Sequence, residues 1–294
     1  MNAKKIDKFA TGGFYAVAFF IVAILGAFIA YILYKGLYMI TPSFLFGKPS
    51  ITRAGGGIGP QIFNSLYMLL ISLIITVPLG IGAGIYLAEY AKEGIVLNII
   101  RLSLETMSSL PSIVIGMFGL LVFVNLAGWG YSIIAGALSV SILNIPSMTR
   151  ISETAIRHAS KKVKEASLGL GASKWQTIKK LTLPIAMKDI LTGIILASGR
   201  IFGEAAAFLY TAGLSSAMPN FNNISLTGKT SAFSLFRPAE TLAVHIWKLN
   251  SEGIVPDASA IANGTSAVLI IMVLIFNILA KVIGNRMLKA YSGK

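Results

Sequence analysis

Six long apolar runs constrain the fold of this chain more than any other feature of its sequence. They occupy residues 14–33, 62–86, 109–126, 131–145, 185–211 and 264–283. Most of them approach or exceed the roughly 20 residues that a helix needs to cross a bilayer. The mean hydropathy of +0.77 is also far too high for a soluble domain of 294 residues. The sequence therefore predicts an all-α, polytopic membrane protein with six transmembrane helices.

The positions of the basic residues predict the orientation of these helices. Most of the 25 Lys and Arg residues lie before the first run, in the connection around residues 150–184, or after the last run. Positively charged connections stay on the cytoplasmic side. We therefore expect a multi-pass protein of the cytoplasmic membrane with both termini inside. The net charge of +14 then reflects topology and not nucleic-acid binding.

The first run predicts a retained helix and not a signal peptide. It is longer than the usual apolar region of a signal peptide, and no small-x-small cleavage site closes it. We expect residues 1–61 to hold the N-terminal tail, the first helix and an outer loop. Residues 62–286 should form a transmembrane domain and residues 287–294 a cytoplasmic tail. Within the domain we expect a cytoplasmic coupling-helix loop at about 150–184 and an outer loop at about 213–263.

Two shorter features receive structural interpretations. Residues 239–249, in the outer loop, have an apolar side and predict a helix at the outer membrane surface. Glycines at 80, 82 and 84 in the second run predict close helix packing and no functional site.

No pattern in the sequence indicates a catalytic, metal or cofactor site. The chain has no cysteine, and its two histidines, His158 and His245, are too far apart to suggest a metal site. The stretch Gly228-Lys229-Thr230 resembles the end of a phosphate-binding loop, but the required preceding glycine is replaced by Asn223. We therefore expect a protein that is not an enzyme, and any ATP it uses should be bound by partner subunits.

Residues 165–184, called here the EAA segment, form a basic, amphipathic stretch between two apolar runs. Gly169 and Gly171 predict a helix end, and Ser173 with Gln176 has the spacing of a capping box that begins a second short helix. This second helix would be either a surface helix on anionic lipid or a docking helix for a soluble partner. Its apolar face would be formed by residues at every third position, which are Trp175, Ile178 and Leu181.

The EAA segment resembles the signature of permeases of ATP-binding-cassette (ABC) importers. That signature is Glu-Ala-Ala, three residues, Gly, nine residues and then Ile-x-Leu-Pro, and it is matched here with conservative departures at Ser167 and Leu181. The resemblance implies that the segment docks into an ATPase subunit and passes its movement to the membrane helices. The residues expected to couple the chain to the ATPase are Glu165, Ala166, Gly171, Trp175, Ile178, Leu181 and Pro184.

Two charges interrupt the fifth run, where each costs about 2.5 to 3.5 kcal/mol to insert. Arg200 and Glu204 are four residues apart, so the sequence predicts that they share one helix face. Gly199 and Gly203 beside them have the Gly-x-x-x-Gly spacing that lets a second helix approach. The two charges could be a buried ion pair that fixes packing. Alternatively, Arg200 offers its guanidinium to an oxyanion that crosses the membrane, and Glu204 is its partner at rest.

Three stretches carry a narrower resemblance, to PstA-type permeases of phosphate ABC importers. These are Gly-Ile-Tyr-Leu-Ala-Glu-Tyr-Ala at 84–91, Leu-Pro-Ser-Ile-Val at 110–114 and Gly-Arg-x-x-Gly-Glu at 199–204. The usual continuation Gly-Glu-Thr-Ala-Pro is replaced here by Gly-Glu-Ala-Ala-Ala. The resemblance implies a permease subunit that translocates inorganic phosphate. Its expected partners are a PstC-like permease subunit, two ATPase subunits and an extracytoplasmic phosphate-binding protein.

Three other functions remain open from the sequence. The first is the same kind of permease for another oxyanion or small solute. The second is a carrier or channel that works without ATP. The third is a membrane scaffold or sensor that uses the basic EAA segment to bind a soluble regulator.

Overall fold

The computed structural model of the chain describes residues 3–50, 53–215, 217–228, 230–253 and 255–291. Within those ranges it has no β-strand and one isolated bridge, between Asn220 and Ser231. The last residues of the predicted C-terminal tail, 292–294, and the Lys229 of the rejected phosphate-loop pattern lie outside the described residues. The α-helices are α1 Ala3–Gly36, α2 Pro42–Phe46, α3 Gly59–Ile85, α4 Ile95–Ser109, α5 Ser112–Gly119, α6 Ile133–Gly169, α7 Lys174–Thr177, α8 Leu183–Gly203, α9 Ala206–Thr211, α10 Leu242–Glu252 and α11 Ala258–Tyr291.

Five helices in the described part of the chain are long and apolar enough to cross a membrane. Three of the five combine an α-helix with a 3-10 or π-type turn, such as the π-type turn Tyr86–Tyr90 that follows α3. A sixth candidate is the pair α4 and α5, which is bent by 96°. The prediction of an all-α membrane protein is therefore confirmed. The five candidate spans are Ala10–Met39, Gly59–Tyr90, Ile133–Lys161, Lys174–Gly203 and Ala258–Arg286.

The bend between α4 and α5 lies at Leu110 and Pro111. Both residues have extended backbone angles, with ψ of 135° and 139°. Proline disfavours the helical conformation of the residue before it and has no N–H to continue the hydrogen-bond ladder. The predicted third span therefore corresponds only to α5 and its continuation to Leu126, and α4 is a separate amphipathic helix that the run of apolar residues did not indicate.

Helix α6 is the centre of the bundle, and both α3 and α8 pack against it. It continues far beyond the predicted run, to Gly169. Gly80 and Gly84 of α3 lie against Met148 and Ser152 of α6, so closely that a Cβ atom at either glycine would overlap those side chains. Gly80 and Gly84 thus serve close packing, as the sequence predicted, whereas a Cβ at Gly82 would meet nothing within 4 Å, so the prediction was wrong for Gly82.

Helix α10 is a buried helix and not the surface helix that its apolar side predicted. Thr241 caps its first turn, accepting a hydrogen bond from the Val244 backbone N–H at 3.4 Å. Leu242, Val244 and His245 are buried, because α10 packs on α11 and on the start of α3. The long connection between α9 and α11 therefore folds back onto the bundle.

Helix α1 stands beside the bundle. None of the residues in its most apolar window is buried in this chain. Its close approach to the bundle is at its end, where Gly36 lies against Asn263 and Ala267 of α11.

Candidate functional site

The two ends of the bundle carry different sets of functional candidates. One end, called here the EAA end, carries the EAA segment together with α4. The opposite end carries the connection between α9 and α11. Arg200 and Glu204 lie at the junction between α8 and α9.

The EAA segment is a tight reversal between α6 and α7. Gly171 adopts a φ of +84°, a conformation that favours glycine, and so turns the chain after α6 ends. The predicted capping box is confirmed, since Gln176 N–H donates to the Ser173 hydroxyl at 3.3 Å and Ser173 N–H donates to the Gln176 side chain at 2.8 Å. The segment is not two short helices, however. Its first part is the end of the long α6, and α7 continues through the π-type turn Ile178–Thr182 into α8.

The predicted apolar face of this segment is divided between the inside and the outside of the chain. Ile178 is only 2% exposed, whereas Trp175 is 57% and Leu181 39% exposed. Ile178 is turned inward beside Thr177, whose hydroxyl lies 2.9 Å from that of Ser167 and so joins the two arms of the reversal. The exposed apolar surface of the segment is formed by residues from both arms, namely Leu168, Leu170, Trp175 and Leu181.

The remaining coupling candidates lie on the same reversal. Glu165, Ala166 and Gly171 are exposed, and Pro184 is half-buried in the first turn of α8. These positions are accessible to a partner, and their coupling role stays a prediction.

Glu89 connects the end of α3 with α6 and α7, on either side of the reversal. Its side chain is 2% exposed, and its carboxylate lies 2.7 Å from the Lys164 ammonium of α6. Its backbone carbonyl accepts a hydrogen bond from Lys174 of α7, whose ammonium also lies 4.6 Å from the centre of the Tyr90 ring. The π-type turn at the end of α3 is therefore attached to the residues on either side of the reversal.

A second group of charges joins α4, α6 and the end of α3. The carboxylate of Glu153 accepts hydrogen bonds from Arg101 of α4 at 2.7 Å and from Arg157 at 3.1 Å. Arg157 also donates to the Leu87 backbone carbonyl at 3.0 Å and lies 3.3 Å from the Glu93 carboxylate. These bonds explain why α6 stays helical beyond its apolar run and why α4 lies across it.

Arg200 and Glu204 do not share one continuous helix, so that expectation was wrong. Helix α8 ends at Gly203, and Glu204 has an extended ψ of 120°. The Glu204 carboxylate is buried and accepts a hydrogen bond from the Ala207 backbone N–H at 3.1 Å, at the start of α9. Arg200 lies in the last turn of α8. Each charge thus sits at the helix end whose dipole favours it, a cation at a C-terminus and an anion at an N-terminus.

Arg200 makes no ion pair in the part of the chain that the structure describes, which includes all 11 Asp and Glu residues. It is exposed on the surface of this chain. Beside it, a Cβ atom at Gly199 or Gly203 would meet no other atom within 4 Å. The Gly-x-x-x-Gly face and Arg200 are therefore free within this chain to meet a ligand or another subunit, and their role in a substrate pathway stays a prediction.

Arg237 is a buried cation at the opposite end of the bundle. It is 7% exposed, and its guanidinium donates to the carbonyls of Ala232 and Pro238 and to the Asn64 side chain, at 3.0, 3.3 and 2.8 Å. All three acceptors are neutral. Burial lowers the pKa of Arg237 from its usual value, because it removes water from the charged form.

Neither Glu89 nor Arg237 was identified from the sequence as a candidate. Glu89 is the single acidic residue in the stretch 84–91, at the end of an apolar run, and such a position is itself a signal that the charge has a partner. The burial of Arg237 had no comparable signal, since it depends on the folding of the long connection over the start of α3.

The comparisons with known proteins agree with this architecture. Residues 80–290 match the family described as binding-protein-dependent transport system inner membrane component. The chain is 53% identical over 289 residues to the "Probable ABC transporter permease protein YqgI" of Bacillus subtilis (strain 168), covering 98% of each chain. It is 34% identical over 241 residues to the phosphate transport system permease protein PstA of Yersinia pestis, covering 80% of this chain and 75% of that one.

Two solved structures share the fold at low sequence identity. A chain of the MetNI methionine ABC transporter, in an inward-facing conformation, aligns with a TM-score of 0.57 at 17% identity, covering 79% of this chain and 94% of that one. A chain of a bacterial ABC transporter that imports alginate aligns with a TM-score of 0.54 at 15% identity, covering 94% and 99%. By its match to the family model and its identity to these relatives, the chain belongs to the family of binding-protein-dependent transport system inner membrane components, the membrane-spanning permease subunits of type I ABC importers.

Proposed function

We propose that this chain is one permease subunit of an ATP-driven importer that moves inorganic phosphate across the cytoplasmic membrane. The relatives named PstA support phosphate as the substrate, whereas the name of the relative at 53% identity gives no substrate. In this proposal the EAA end is cytoplasmic, both termini are cytoplasmic, and the opposite end faces the outside, as the distribution of Lys and Arg favours.

The proposal rests mainly on the exposure of Arg200 and on its lack of an ion pair among the described residues. A guanidinium in an apolar run is costly unless it is paired or used, and Arg200 is exposed and has no ion pair among the described residues. Its planar fork of N–H donors fits the oxygens of phosphate and keeps its charge at any physiological pH. Glu204 is committed to the start of α9 and leaves the guanidinium available.

The partners follow from the same arrangement. The open face at Gly199 and Gly203 is suited to a second, PstC-like permease subunit, which would add a cation across a shared pathway. One of the two ATPase subunits would bind the exposed surface of the EAA segment, and the two together would supply all ATP hydrolysis. An extracytoplasmic phosphate-binding protein would deliver phosphate to the opposite end.

In the mechanism, closure of the ATPase subunits displaces the reversal between α6 and α7. Because α7 continues into α8, that displacement moves the helix that carries Arg200. Because Lys164 and Lys174 hold Glu89, it also moves α3. The pathway around Arg200 then opens alternately to each side of the membrane.

Two other functions stay as alternatives. A permease for another oxyanion, such as sulfate, would use Arg200 in the same way. A carrier or channel that works without ATP would need no partner at the exposed residues of the EAA segment.

The test is uptake of labelled phosphate by phosphate-starved cells that have or lack this chain, before and after ATP depletion and with sulfate as competitor. We expect deletion to remove an ATP-dependent uptake that sulfate does not compete with. Uptake that sulfate abolishes would indicate that the substrate is another oxyanion. Uptake that survives ATP depletion would support the carrier or channel instead.

A further inference from the structure

Two adjoining clefts at the opposite end of the bundle are lined by basic residues and by no acidic residue. One has a volume of about 430 Å³ and is lined by Arg237 and polar side chains such as Asn220 and Thr230. The other has a volume of about 440 Å³ and is lined by Lys48 and Lys248, and Lys248 lies 3.6 Å from the buried Glu240 carboxylate. The two clefts share Ser215, Ala217 and Met218, and no Asp or Glu is among the lining residues of either.

Arg237 supplies a buried positive charge to these clefts. It is buried, and none of the 11 Asp and Glu side chains of the chain, all of which the structure describes, lies within ion-pair distance of it. Burying an uncompensated charge is unfavourable, and it raises the positive potential of the adjoining space because little water screens it. A site that holds such a charge without a counter-ion is stabilised when an anion binds.

Within the described residues, the hydrogen bonds of Arg237 leave part of its guanidinium unused. The Nε donates to Ala232, one terminal nitrogen donates to Pro238 and the other to Asn64. A guanidinium has five N–H donors, so each terminal nitrogen retains one that has no acceptor in the described part of the chain. Two donors on neighbouring nitrogens are what a tetrahedral oxyanion needs for a bidentate contact.

The anchoring of Arg237 makes its position well defined. Asn64, which accepts from Arg237, is itself buried and donates to the Glu240 backbone carbonyl at 3.0 Å. The guanidinium is therefore held by α3 on one side and by its own connection on the other. It does not need to be ordered when a ligand arrives, which lowers the entropic cost of binding.

From these observations we propose that the two clefts form an outer oxyanion-binding site, in which Arg237 is the principal ligand and Lys48 attracts the anion. The site precedes Arg200 on the way into the membrane. The role of this site in transport rests on the proposed function, to which it adds the place where the anion first binds. The ligand class is a small tetrahedral oxyanion, with inorganic phosphate as the probe.

The absence of cysteine from the chain allows a test that does not depend on transport. A single thiol is introduced by Ala217→Cys, at an exposed position that both clefts share. The chain is assembled with its co-expressed permease and ATPase subunits in lipid nanodiscs. The rates of modification by an anionic and by a cationic methanethiosulfonate reagent are compared, and Ser251→Cys, exposed at the end of α10, is the matched control.

We expect the anionic reagent to modify Ala217→Cys about tenfold faster than the cationic one, relative to Ser251→Cys, because one sign of charge in a cleft concentrates counter-ions. Added inorganic phosphate should slow this modification, and sulfate should compete with it. Adding Arg237→Lys should reduce the protection by phosphate, since lysine keeps the charge and loses the fork. If that variant fails to assemble, Lys48→Gln serves instead, with Lys35→Gln, an exposed lysine outside the clefts, as its control.

Equal rates for the two reagents, or rates that phosphate does not change, would overturn the proposal. Protection that requires the binding protein and is not given by free phosphate would also overturn it, because the clefts would then receive an acidic side chain of that protein. If phosphate protects the thiol in nanodiscs but phosphate uptake by cells does not depend on this chain, the oxyanion site is supported and the proposed cargo is contradicted. The two proposals can therefore fail separately.

Discussion

The carboxylate of Glu89 lies 2.7 Å from the ammonium of Lys164, in a pair whose acidic side chain is 2% and whose basic side chain is 37% exposed. Lys174, across the reversal of the EAA segment, donates to the backbone carbonyl of the same Glu89. One residue at the end of α3 is thus attached to α6 and to α7. A displacement of the reversal reaches α3 directly through these contacts.

Glu89→Gln should uncouple ATP hydrolysis from transport. The substitution keeps the shape of the side chain and its burial but removes the charge that holds Lys164, and Lys164 is exposed enough to be hydrated once released. We therefore expect a folded, assembled complex in which the ATP hydrolysed per phosphate transported rises severalfold. The measurement is parallel hydrolysis and uptake in proteoliposomes.

The control for this variant is Glu105→Gln. Glu105 pairs with Arg150 at 2.7 Å at the same end of the bundle, but both side chains are largely exposed, so the pair should contribute little. Unchanged coupling in Glu89→Gln, or equal loss in Glu105→Gln, would remove Glu89 from the transmission of movement. The exchange of charges in Glu89→Lys with Lys164→Glu should restore part of the coupling.

The EAA segment shows which local features the sequence could predict. Ser173 and Gln176 form the predicted capping box because that motif is satisfied within four residues. The inward position of Ile178 was not predictable from a repeat of every third residue. It depends on Thr177 meeting Ser167 across the reversal, which is a contact between the two arms.

Trp175→Ala should weaken binding of the ATPase and leave the chain as stable as before, because Trp175 is 57% exposed in this chain. Ile178→Ala should instead lower the stability of the chain and leave the binding surface for the ATPase unchanged. Removal of a fully buried Ile side chain costs about 2 to 5 kcal/mol of stability, and Ile178 is 2% exposed. Co-purification of the ATPase and the melting temperature in detergent would be measured for both variants.

The matched control for Trp175→Ala is Leu196→Ala, at an exposed apolar residue of α8 outside the EAA segment. Loss of the ATPase from Leu196→Ala would show that exposed apolar surface in general, and not the EAA segment, retains it. A Trp175→Ala complex with undiminished ATPase content would exclude Trp175 from the docking surface.

Arg200→Lys should lower phosphate uptake by about 10- to 100-fold, the effect of losing one charge-assisted hydrogen bond. Assembly should be retained, since Arg200 is exposed and has no ion pair among the described residues. Initial rates of uptake and the yield of intact complex would be compared with those of Arg286→Lys, an exposed arginine near the end of α11. A variant that loses the complex along with uptake would make Arg200 a packing residue.

The positions of the helix ends around Arg200 and in α4 depended on information that hydropathy does not contain. An apolar run from 185 to 211 indicates a span, but α8 ends at Gly203 and α9 begins anew at Ala206, where the Glu204 side chain accepts a hydrogen bond from the Ala207 backbone N–H. Similarly, α4 is held across α6 by Arg101 and Glu153, which are 52 residues apart in sequence. Apolar length predicted the membrane helices, and long-range polar contacts decided where they break.

Gly84→Ala should destabilise the chain, whereas Gly82→Ala should not. A Cβ at Gly84 would lie 2.5 Å from the Ser152 Cβ and 2.9 Å from the Glu153 backbone nitrogen, so α3 and α6 would have to separate. Overpacking of this kind costs about 1 to 3 kcal/mol. At Gly82, two residues away on the same helix, a Cβ would meet nothing within 4 Å, and alanine should gain up to about 1 kcal/mol of helix propensity. Melting temperatures of the two variants in detergent should therefore move in opposite directions, and an equal decrease would mean that backbone flexibility, not the contact of α3 with α6, is what the glycines provide.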